Sequence, residues 1–418
     1  MKRFIVPLLM VAMVAILVFS GCAQSTTPTE PTTPTQPTTP TQPTTPTEPT
    51  TPTEPTMPTL PEPTEDNPLA GLAMKPDGTP YKFVHAPCFL HVEFTNVCDG
   101  VVTSLVRRAG GECTTNDPNG DISKQVAIVE DTTVTRPDGL MLGPLDSAAL
   151  IPSIEMAADA GIPTFVYSVD SPTEKRQTFV THDQVELGEQ IGLWLVAKAQ
   201  EIGEPIVAYE LWGLMGMSAS QLRHQGLHEA ADAHPEWLTI IESPETGFQD
   251  EMAMNVVTEI MPAHPEITAI VSHGAMVQGV VQGLRALEML YPSGDPNHVY
   301  FFTIAMGPSD VAACRSGFLD GATCQSPWEQ LDLASKVMLD YCCLGNDVPY
   351  DISITPYMID QSNIDSPRYG APAIWGSMYG LDYDLWPILD FSEAGITSRG
   401  EDLLLIDGTP GGYDTPMR

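Results

Sequence analysis

The fold of this chain is decided by one stretch, Gly139-Leu-Met-Leu-Gly-Pro-Leu-Asp146, then Ala157-Ala-Asp-Ala-Gly-Ile-Pro163, then Val169-Asp170. Its first apolar run has the length of a buried strand, and residues 148–160 have a helical pattern. The apolar run after Pro163 predicts a second strand, and this proline ends the helix without removing a ladder hydrogen bond. The unit is therefore strand, helix, strand.

The same alternation continues over residues 81–418. It argues for parallel sheets with helices on both faces, and about 340 residues suit two such lobes better than one. The other strand-length apolar runs are 82–86, 206–211, 267–271 and 299–304, and further helical patterns cover 187–201 and 218–233.

Composition excludes several classes of function. The chain has 54 acidic residues against 18 Lys plus Arg, a formal net charge of −36. Such a surface repels nucleic acid and anionic lipid and favours neutral or cationic ligands. The sequence contains no Gly-x-Ser-x-Gly, Walker or Gly-x-Gly-x-x-Gly motif, so we expect a protein without enzymatic activity and without a cofactor.

The first residues predict export. Lys2 and Arg3 precede an apolar run at 4–19, which is shorter than the ~20 residues of a membrane span and fits a signal peptide. Ser20-Gly21-Cys22 resembles a bacterial lipobox, which predicts lipid on Cys22 and an extracytoplasmic protein anchored to the membrane. The alternative is an ordinary signal peptide that is cut nearby and leaves a soluble protein.

Residues 26–63 repeat the unit Thr-Thr-Pro-Thr-Glu/Gln-Pro, which has nothing to bury. Proline at every third position favours polyproline II, with a rise of ~3.1 Å per residue. This segment is either a spacer that holds the folded part on the order of 100 Å from its anchor or a plain disordered linker.

The folded part resembles the type I periplasmic binding proteins, most of all the ribose-binding, simple-sugar group. The opening stretch resembles their first lobe, and the similarity extends over residues 81–356. Their fold is α/β: two doubly wound, Rossmann-like parallel-sheet lobes joined by a three-crossover hinge, with ligand in the cleft. Motifs of the second lobe are Leu211-Trp-Gly213, Gly216, Ser218-Ala219, Arg223, Gln225-Gly226, Phe248, His264-Pro265-Glu266, Gly317, Ala322-Thr323 and Gln325.

This resemblance implies a binding protein that captures a small polyhydroxylated solute, a sugar or a similar compound, and delivers it to the permease of an ABC importer. It would act as a monomer. The alternative is a sensory module that presents the same solute to a membrane receptor or kinase. Both use closure of the lobes around the ligand.

The resemblance also implies the ligand-binding residues. Ser171 and Ala305 stand where the ribose group has an arginine and an aspartate, so we expect a ligand other than ribose. We expect an open cleft to hydrate the Arg223 guanidinium. The predicted ligand-binding residues are Asp170 as carboxylate acceptor, Arg223 as donor, Phe248 and Phe94 as aromatic rings, Gln325 as hinge amide, and His91, Glu93 and His273, which replace other family residues.

Five segments follow from these observations, with crossovers near 181–183, 325–326 and 355–357. We expect the aromatic-rich extension at the C-terminus to pack over one lobe or the hinge. The segments are a lipoprotein signal peptide at 1–22, a linker at 23–65, an N-terminal lobe at 66–182 plus 327–355, a C-terminal lobe at 183–326 plus 356–365, and the extension at 366–418.

Histidines and cysteines leave alternatives open. His224 and His228 have i, i+4 spacing on a predicted helix, but no Glu completes a His-Glu-x-x-His motif, so we expect solvent-facing histidines and no metal. Seven cysteines remain besides Cys22. The pairs Cys98–Cys113 and Cys314–Cys324 could form disulfides, or all seven could be reduced thiols.

Overall fold

Two β-sheets carry the strand–helix–strand units, and each is parallel except at one edge. The computed structural model describes residues 64, 67–274, 276–308, 310–366, 375–376, 381–389 and 396–397, and these belong to one compact unit that begins at Met57. The predictions for residues 1–63 lie outside the described residues. The predicted fold class, two parallel-sheet α/β lobes, is confirmed.

The elements follow the predicted order closely. Residues 148–150, predicted to be helical, form a turn instead, because the Asp146 carboxylate accepts hydrogen bonds from the backbone there. The elements are β1 (Lys82–Ala86), α1 (Glu93–Arg108), β2 (Glu112–Thr115), α2 (Ile122–Thr135), β3 (Gly139–Leu142), α3 (Ile151–Asp159), β4 (Thr164–Tyr167), β5 (Thr178–His182), α4 (Gln184–Ile202), β6 (Ile206–Leu211), α5 (Ser218–Ala233), β7 (Leu238–Glu242), α6 (Asp250–Ala263), β8 (Ile267–Ser272), α7 (Val277–Ala286), β9 (Tyr300–Ile304), α8 (Val311–Arg315), β10 (Gly321–Thr323), α9 (Pro327–Leu339), β11 (Asp351–Ile354), β12 (Met358–Asp360) and β13 (Ile396–Thr397).

The first lobe is built on a sheet of order β13-β11-β5-β4-β3-β1-β2, in which β13 alone is antiparallel to its neighbour. Helix α1 packs against α9, and α2 packs against α3. Strands β3, β4 and β5 are buried along their whole length, as expected for parallel strands that helices cover on both faces.

The second lobe is built on a sheet of order β12-β10-β9-β8-β6-β7, with β12 antiparallel to β10. Helix α4 packs against α5, and α6 packs against α7. Three passages between the two sheets, after β5, after β10 and after β11, correspond to the predicted crossovers, and a fourth leads from β12 back to β13 of the first sheet in the extension. The first three passages leave the lobes able to move as units about one region.

The described parts of the C-terminal extension lie on the first lobe. The ring of Tyr383 lies against Gly100 of α1, and Arg107 donates to the Asp384 carboxylate at 2.5 Å. Trp386 packs edge-on against Trp328 of α9, with ring centroids 5.0 Å apart. The extension therefore covers the α1–α9 face of that lobe.

The sequence analysis left the pairing of the cysteines open. The seven cysteines from Cys88 to Cys343 are free thiols in the structure, so neither candidate disulfide is formed. Within the described ranges, none of the helices combines the length and the apolar composition that a bilayer span requires.

Helices α4 and α5 approach so closely that glycine is needed at their contact. A Cβ added to Gly226 would lie 1.9 Å from the carbonyl oxygen of Val185, and one on Gly188 would lie 2.1 Å from the carbonyl oxygen of Arg223. Backbone atoms cannot move aside as a flexible side chain can. This contact fixes how far α5, which carries Arg223, lies from α4.

We predict that Gly226→Ala destabilises the protein. The methyl group forces α4 and α5 apart, and overpacking of this kind costs about 1–3 kcal/mol even after the helix gains the ~1 kcal/mol propensity of alanine. The measurement is the midpoint of urea unfolding, which should fall clearly.

The matched control is Gly283→Ala, also within a helix. A Cβ there would lie 3.3 Å from the carbonyl oxygen of Met254, much farther than the backbone contact at Gly226, and 3.0 Å from the side chain of Val257. That side chain can move by a few tenths of an ångström, so the midpoint should change little. Equal shifts for the two variants would contradict the close-approach explanation.

Candidate functional site

A cavity of about 410 Å³ lies between the two lobes. The first lobe contributes the segments that follow β1, β3 and β4, and the second contributes those that follow β7, β8 and β9 together with the start of α5. These are the carboxyl ends of parallel strands, where open α/β sheets place their ligands.

Seven of the eight predicted ligand-binding side chains line this cavity. The exception is Asp170. That the cavity residues contact a solute remains a prediction, but the structure brings them together from both lobes and from the hinge. The seven are His91, Glu93, Phe94, Arg223, Phe248, His273 and Gln325.

The guanidinium of Arg223 is buried in the cavity wall and hydrogen-bonded on three sides. Its Nε donates to the Gln184 side chain at 2.8 Å, and its two terminal nitrogens donate to the His273 carbonyl and to the Gln325 side chain. Burial lowers the pKa of Arg223 to about 9. In this conformation protein oxygens, not water, accept these three hydrogen bonds, and hydration of the group in an open cleft stays a prediction.

Gln325 extends this set of hydrogen bonds across the hinge. It follows β10, at one of the first three passages between the sheets. Its oxygen accepts from Arg223 of the second lobe, and its nitrogen donates to Gln330 at 3.2 Å and to Ser168 at 3.4 Å in the first lobe. One amide thus connects the two lobes.

Asp170 lies beside the cavity rather than in its wall. Its carboxylate accepts from Arg176 Nε at 2.9 Å, and the same guanidinium donates to Asp351 at 2.5 Å and to the Tyr350 carbonyl at 2.7 Å. The backbone N–H of Asp170 donates to Ser218 of the second lobe at 2.8 Å. Its role as acceptor for a ligand stays a prediction, because Arg176 already engages it.

Aromatic rings enter the cavity from both lobes. Phe94 opens α1, and Phe248 follows β7 with a positive φ of 58°, a conformation rarely adopted outside glycine. The Phe248 ring covers Gly213, where an added Cβ would lie 2.0 Å from the ring. Positive φ also occurs at Ser168 and Ala305 in the cavity wall. Such strain clusters at binding sites, where the surroundings must hold it in place.

Trp375 is a cavity residue that the sequence analysis did not find. It belongs to the extension, is 2% exposed, and meets Phe94 edge-on with ring centroids 5.8 Å apart. Its indole N–H is buried and has no hydrogen-bond partner. Aromatic enrichment of the extension was the only signal for it, and that signal did not say which ring reaches the cleft.

Carboxylates give the cavity a negative character. Glu93, Asp250 and Asp310 all line it. The pKa of Asp310 is raised to about 6, mainly by burial and also by the nearby Glu93 and Asp250, against hydrogen bonds from Gly307 and Gln278. The cavity therefore resists additional negative charge.

His273 connects the cavity to a polar cluster behind it. Its Nε2 lies 2.7 Å from the carboxylate of Glu210, a buried residue of β6, and its Nδ1 is buried without a partner. Burial lowers the pKa of His273. Burial would raise the pKa of Glu210, but hydrogen bonds from His228, His273 and His224 outweigh it and lower that pKa to about 2.

The lobes touch beside the cavity. Ser147, after β3, donates its N–H to the Gly216 carbonyl at 3.2 Å, and Ser218 donates its N–H to the Ser147 hydroxyl at 2.9 Å. Together with the Asp170–Ser218 bond, these contacts join the first lobe to the second. The two lobes are thus in contact at one side of the cavity.

The sequence matches one protein-family model and several characterised relatives. Residues 92–347 match the family described as "Periplasmic binding protein domain". The ribose import binding protein RbsB of Bacillus subtilis is 29% identical over 178 residues, which is 43% of this chain and 55% of that protein. RbsB of Salmonella typhimurium is 28% identical over 242 residues, 57% of this chain and 78% of that protein. The chain thus spans only about half the length of the first of these relatives.

Solved structures show the same fold. A galactofuranose-binding protein aligns with a TM-score of 0.63 at 21% identity, covering 68% of this chain and 96% of that one. A carbohydrate transporter solute-binding protein from Agrobacterium radiobacter, in complex with D-arabinose, aligns with a TM-score of 0.65 at 16% identity and covers 70% and 98% of the two chains.

The structure is a two-lobed α/β fold with a polar and aromatic cleft at the strand ends, where such folds bind small molecules. The chain belongs to the periplasmic binding protein family, and its fold is that of the type I members. This family acts outside the cytoplasm.

We predict that Asp310→Asn stabilises the protein at neutral pH. Because the folded state raises the pKa of this carboxyl from 3.8 to about 6, its contribution to the free energy of unfolding is full below about pH 3.8 and is lost as the pH rises through 6. A neutral amide avoids that loss. Urea unfolding should show a gain of up to about 3 kcal/mol near neutral pH and almost none near pH 4.

Asp77→Asn is the control, because the folded state shifts the pKa of Asp77 in the opposite direction to that of Asp310. The pKa of Asp77 is lowered by hydrogen bonds from Thr79, so removing its charge should not stabilise the protein at neutral pH. A gain for Asp310→Asn that is the same at both pH values would contradict the electrostatic explanation.

Proposed function

We propose that the protein is a substrate-binding lipoprotein that captures a small, neutral or weakly cationic polyhydroxylated solute in its cleft and delivers it to an ABC importer. The observation that supports this most is the pairing of aromatic rings, among them Phe94, Phe248 and Trp375, with hydrogen-bond donors in one cavity. Sugars need both, since rings cover their C–H faces and each buried hydroxyl must find a partner.

Donors remain in the cavity for such a ligand. A guanidinium carries five N–H groups, and Arg223 uses three of them on Gln184, Gln325 and the His273 carbonyl. Two N–H groups are therefore left for ligand oxygens. The indole N–H of Trp375 is also without a partner, and a ligand hydroxyl would remove the cost of burying it.

The charge and the volume of the cavity restrict the class of ligand. Carboxylates of Glu93, Asp250 and Asp310 disfavour an anionic solute and tolerate an amine. A cavity of about 410 Å³ is near the small end of the ~300–1,000 Å³ range of ligand sites. It suits a monosaccharide or cyclitol better than an oligosaccharide.

Ribose itself fits less well. The curated relatives include ribose import proteins, and one solved neighbour from Bacillus halodurans holds myo-inositol. This chain has Ser171 and Ala305 where the ribose group has an arginine and an aspartate. The Ser171 hydroxyl is buried without a partner, and alanine cannot replace a carboxylate acceptor.

Closure of the lobes about the first three passages is the proposed mechanism. In this proposal the N-terminal lobe comprises residues 66–182 and 327–355, and the C-terminal lobe comprises 183–326 and 356–365. The contacts of Ser218 with Ser147 and Asp170 would form on closing, and ligand would add contacts to both walls. A ligand that contacts both walls stabilises the closed state.

The ligand class is tested by measuring the unfolding temperature of the purified protein with sugars, polyols, nucleosides and amines. A neutral or weakly cationic polyhydroxylated solute should stabilise it, by about 2.7 kcal/mol at ~100 times the dissociation constant. Small-angle scattering should show equal or greater compactness with that solute. Stabilisation by ribose above all, or by anions only, would contradict the proposal.

Trp375→Phe tests the cleft itself. This change keeps a ring and removes the donor, so affinity for the solute found in the screen should fall about three- to tenfold. The matched control is Trp386→Phe in the same extension, whose ring packs on Trp328. Isothermal titration should find that control unchanged; equal losses in both variants would indicate a purely structural effect.

Membrane anchoring is the second part of the proposal. Lipid on Cys22 and the Pro/Thr-rich segment at 23–65 would hold the folded part away from the membrane, within reach of the permease. We predict that Cys22→Ala moves the protein from the membrane fraction to the soluble fraction of fractionated cells.

Cys88→Ala is the control, because this thiol is buried in the first lobe. That variant should stay with the membranes. If Cys22→Ala also stays there, the lipid anchor is excluded, while the ligand-binding part of the proposal is unaffected.

A further inference from the structure

Behind the cleft, one carboxylate and two histidines converge. Glu210 is the fifth residue of β6, and His224 and His228 lie one turn apart on α5. The nearest Glu210 oxygen lies 3.0 Å from His224 Nδ1 and 3.1 Å from His228 Nε2, and the three potential ligand atoms all lie within 4.8 Å of one another. The sequence analysis missed this acid because it comes from a strand, not from the helix.

These distances match the needs of a small metal ion. Zinc binds histidine nitrogen and carboxylate oxygen at about 2.0–2.2 Å, so ligand atoms around a tetrahedral ion lie about 3.3 Å apart. The two measured edges differ from that by only a few tenths of an ångström. Two histidines at i, i+4 on one helix face, completed by a carboxylate, form a recurrent zinc-binding arrangement.

The surroundings support the carboxylate as a ligand. Glu210 is fully buried, and its second oxygen is held by His273 Nε2 at 2.7 Å. Ligating carboxylates are commonly oriented by a hydrogen bond of this kind. The indole of Trp212 packs against His224, with ring centroids 4.6 Å apart, and limits the motion of that ring.

The two histidines leave the cluster accessible to an ion from solvent. The side chains of His224 and His228 are each 29% exposed, whereas Glu210 and His273 are buried. An ion can therefore enter from solvent, and a water molecule can take its fourth position. Glu242, which accepts from the Trp212 indole at 3.1 Å, adds negative charge nearby.

We propose that Glu210, His224 and His228 form a binding site for a divalent transition-metal ion, zinc being the best match, with the fourth position open to water. Two imidazole ligands favour zinc, cobalt or nickel and disfavour calcium and magnesium. The site is distinct from the solute cavity but adjoins it, because His273 contacts both the cavity and Glu210.

The test uses the purified full-length protein, stripped with chelator and titrated with Co²⁺ alone and then with Zn²⁺. We expect one equivalent of Co²⁺ to give a visible absorption spectrum of tetrahedral nitrogen and oxygen ligation, and Zn²⁺ to displace it. His224→Ala and His228→Ala should each weaken binding roughly a hundredfold. Calcium and magnesium should not compete.

His264→Ala is the matched control, since His264 forms an exposed pair with Glu266 at 2.9 Å on the same lobe. It should bind the metal as the unaltered protein does. Circular dichroism of each metal-free variant shows that it is folded. Absence of saturable binding, thiolate bands that indicate cysteine ligation, or affinity unchanged in His224→Ala and His228→Ala would each overturn the proposal.

Discussion

The buried guanidinium of Arg223 organises the cleft. A charge removed from water is costly unless it is fully hydrogen-bonded, and here three elements supply the acceptors: the start of α4, the end of β8 and the segment after β10. Because these acceptors come from distant parts of the chain, their positions are mutually fixed. The hinge amide of Gln325 then passes this constraint to Gln330 and Ser168 of the first lobe.

The packing of α5 against α4 positions Arg223 for these hydrogen bonds. Arg223 and Gly226 lie on the same helix, and the close approach of α5 to α4 at Gly226 sets the depth to which the guanidinium is buried. His224 and His228 also lie on α5, close to Arg223 in the sequence. One short contact between two backbones thus positions both the cavity wall and the histidine cluster behind it.

Much of the fold follows from local sequence. Strand β6 and helix α5 have the predicted bounds, because an apolar run after Pro205 and a helical period of apolar residues are strong, short-range signals. Family resemblance also placed Arg223, Phe248 and Gln325 in the cleft wall. Phe248 and Gln325 follow strands β7 and β10, and Arg223 lies in the first half of α5, so the predicted topology brings all three to the cleft side of the second lobe.

What sequence could not supply were partners from far along the chain. The guanidinium of Arg176, which holds Asp170, also donates to Asp351, 175 residues further along the chain. Glu210 completes a histidine pair that lies on the next helix, and Trp375 reaches Phe94 from the extension. Each of these contacts depends on tertiary packing, which propensity and spacing do not encode.

In its described parts from Trp375 onward, the extension contacts α1, α9 and β11 of the first lobe. Trp375 must therefore travel with that lobe whenever the cleft opens. A solute bound under this indole would stay with the first lobe while the second withdraws, and the first lobe would then be the surface on which capture begins and from which release ends. Variation in a terminal segment could then retune selectivity without altering either sheet.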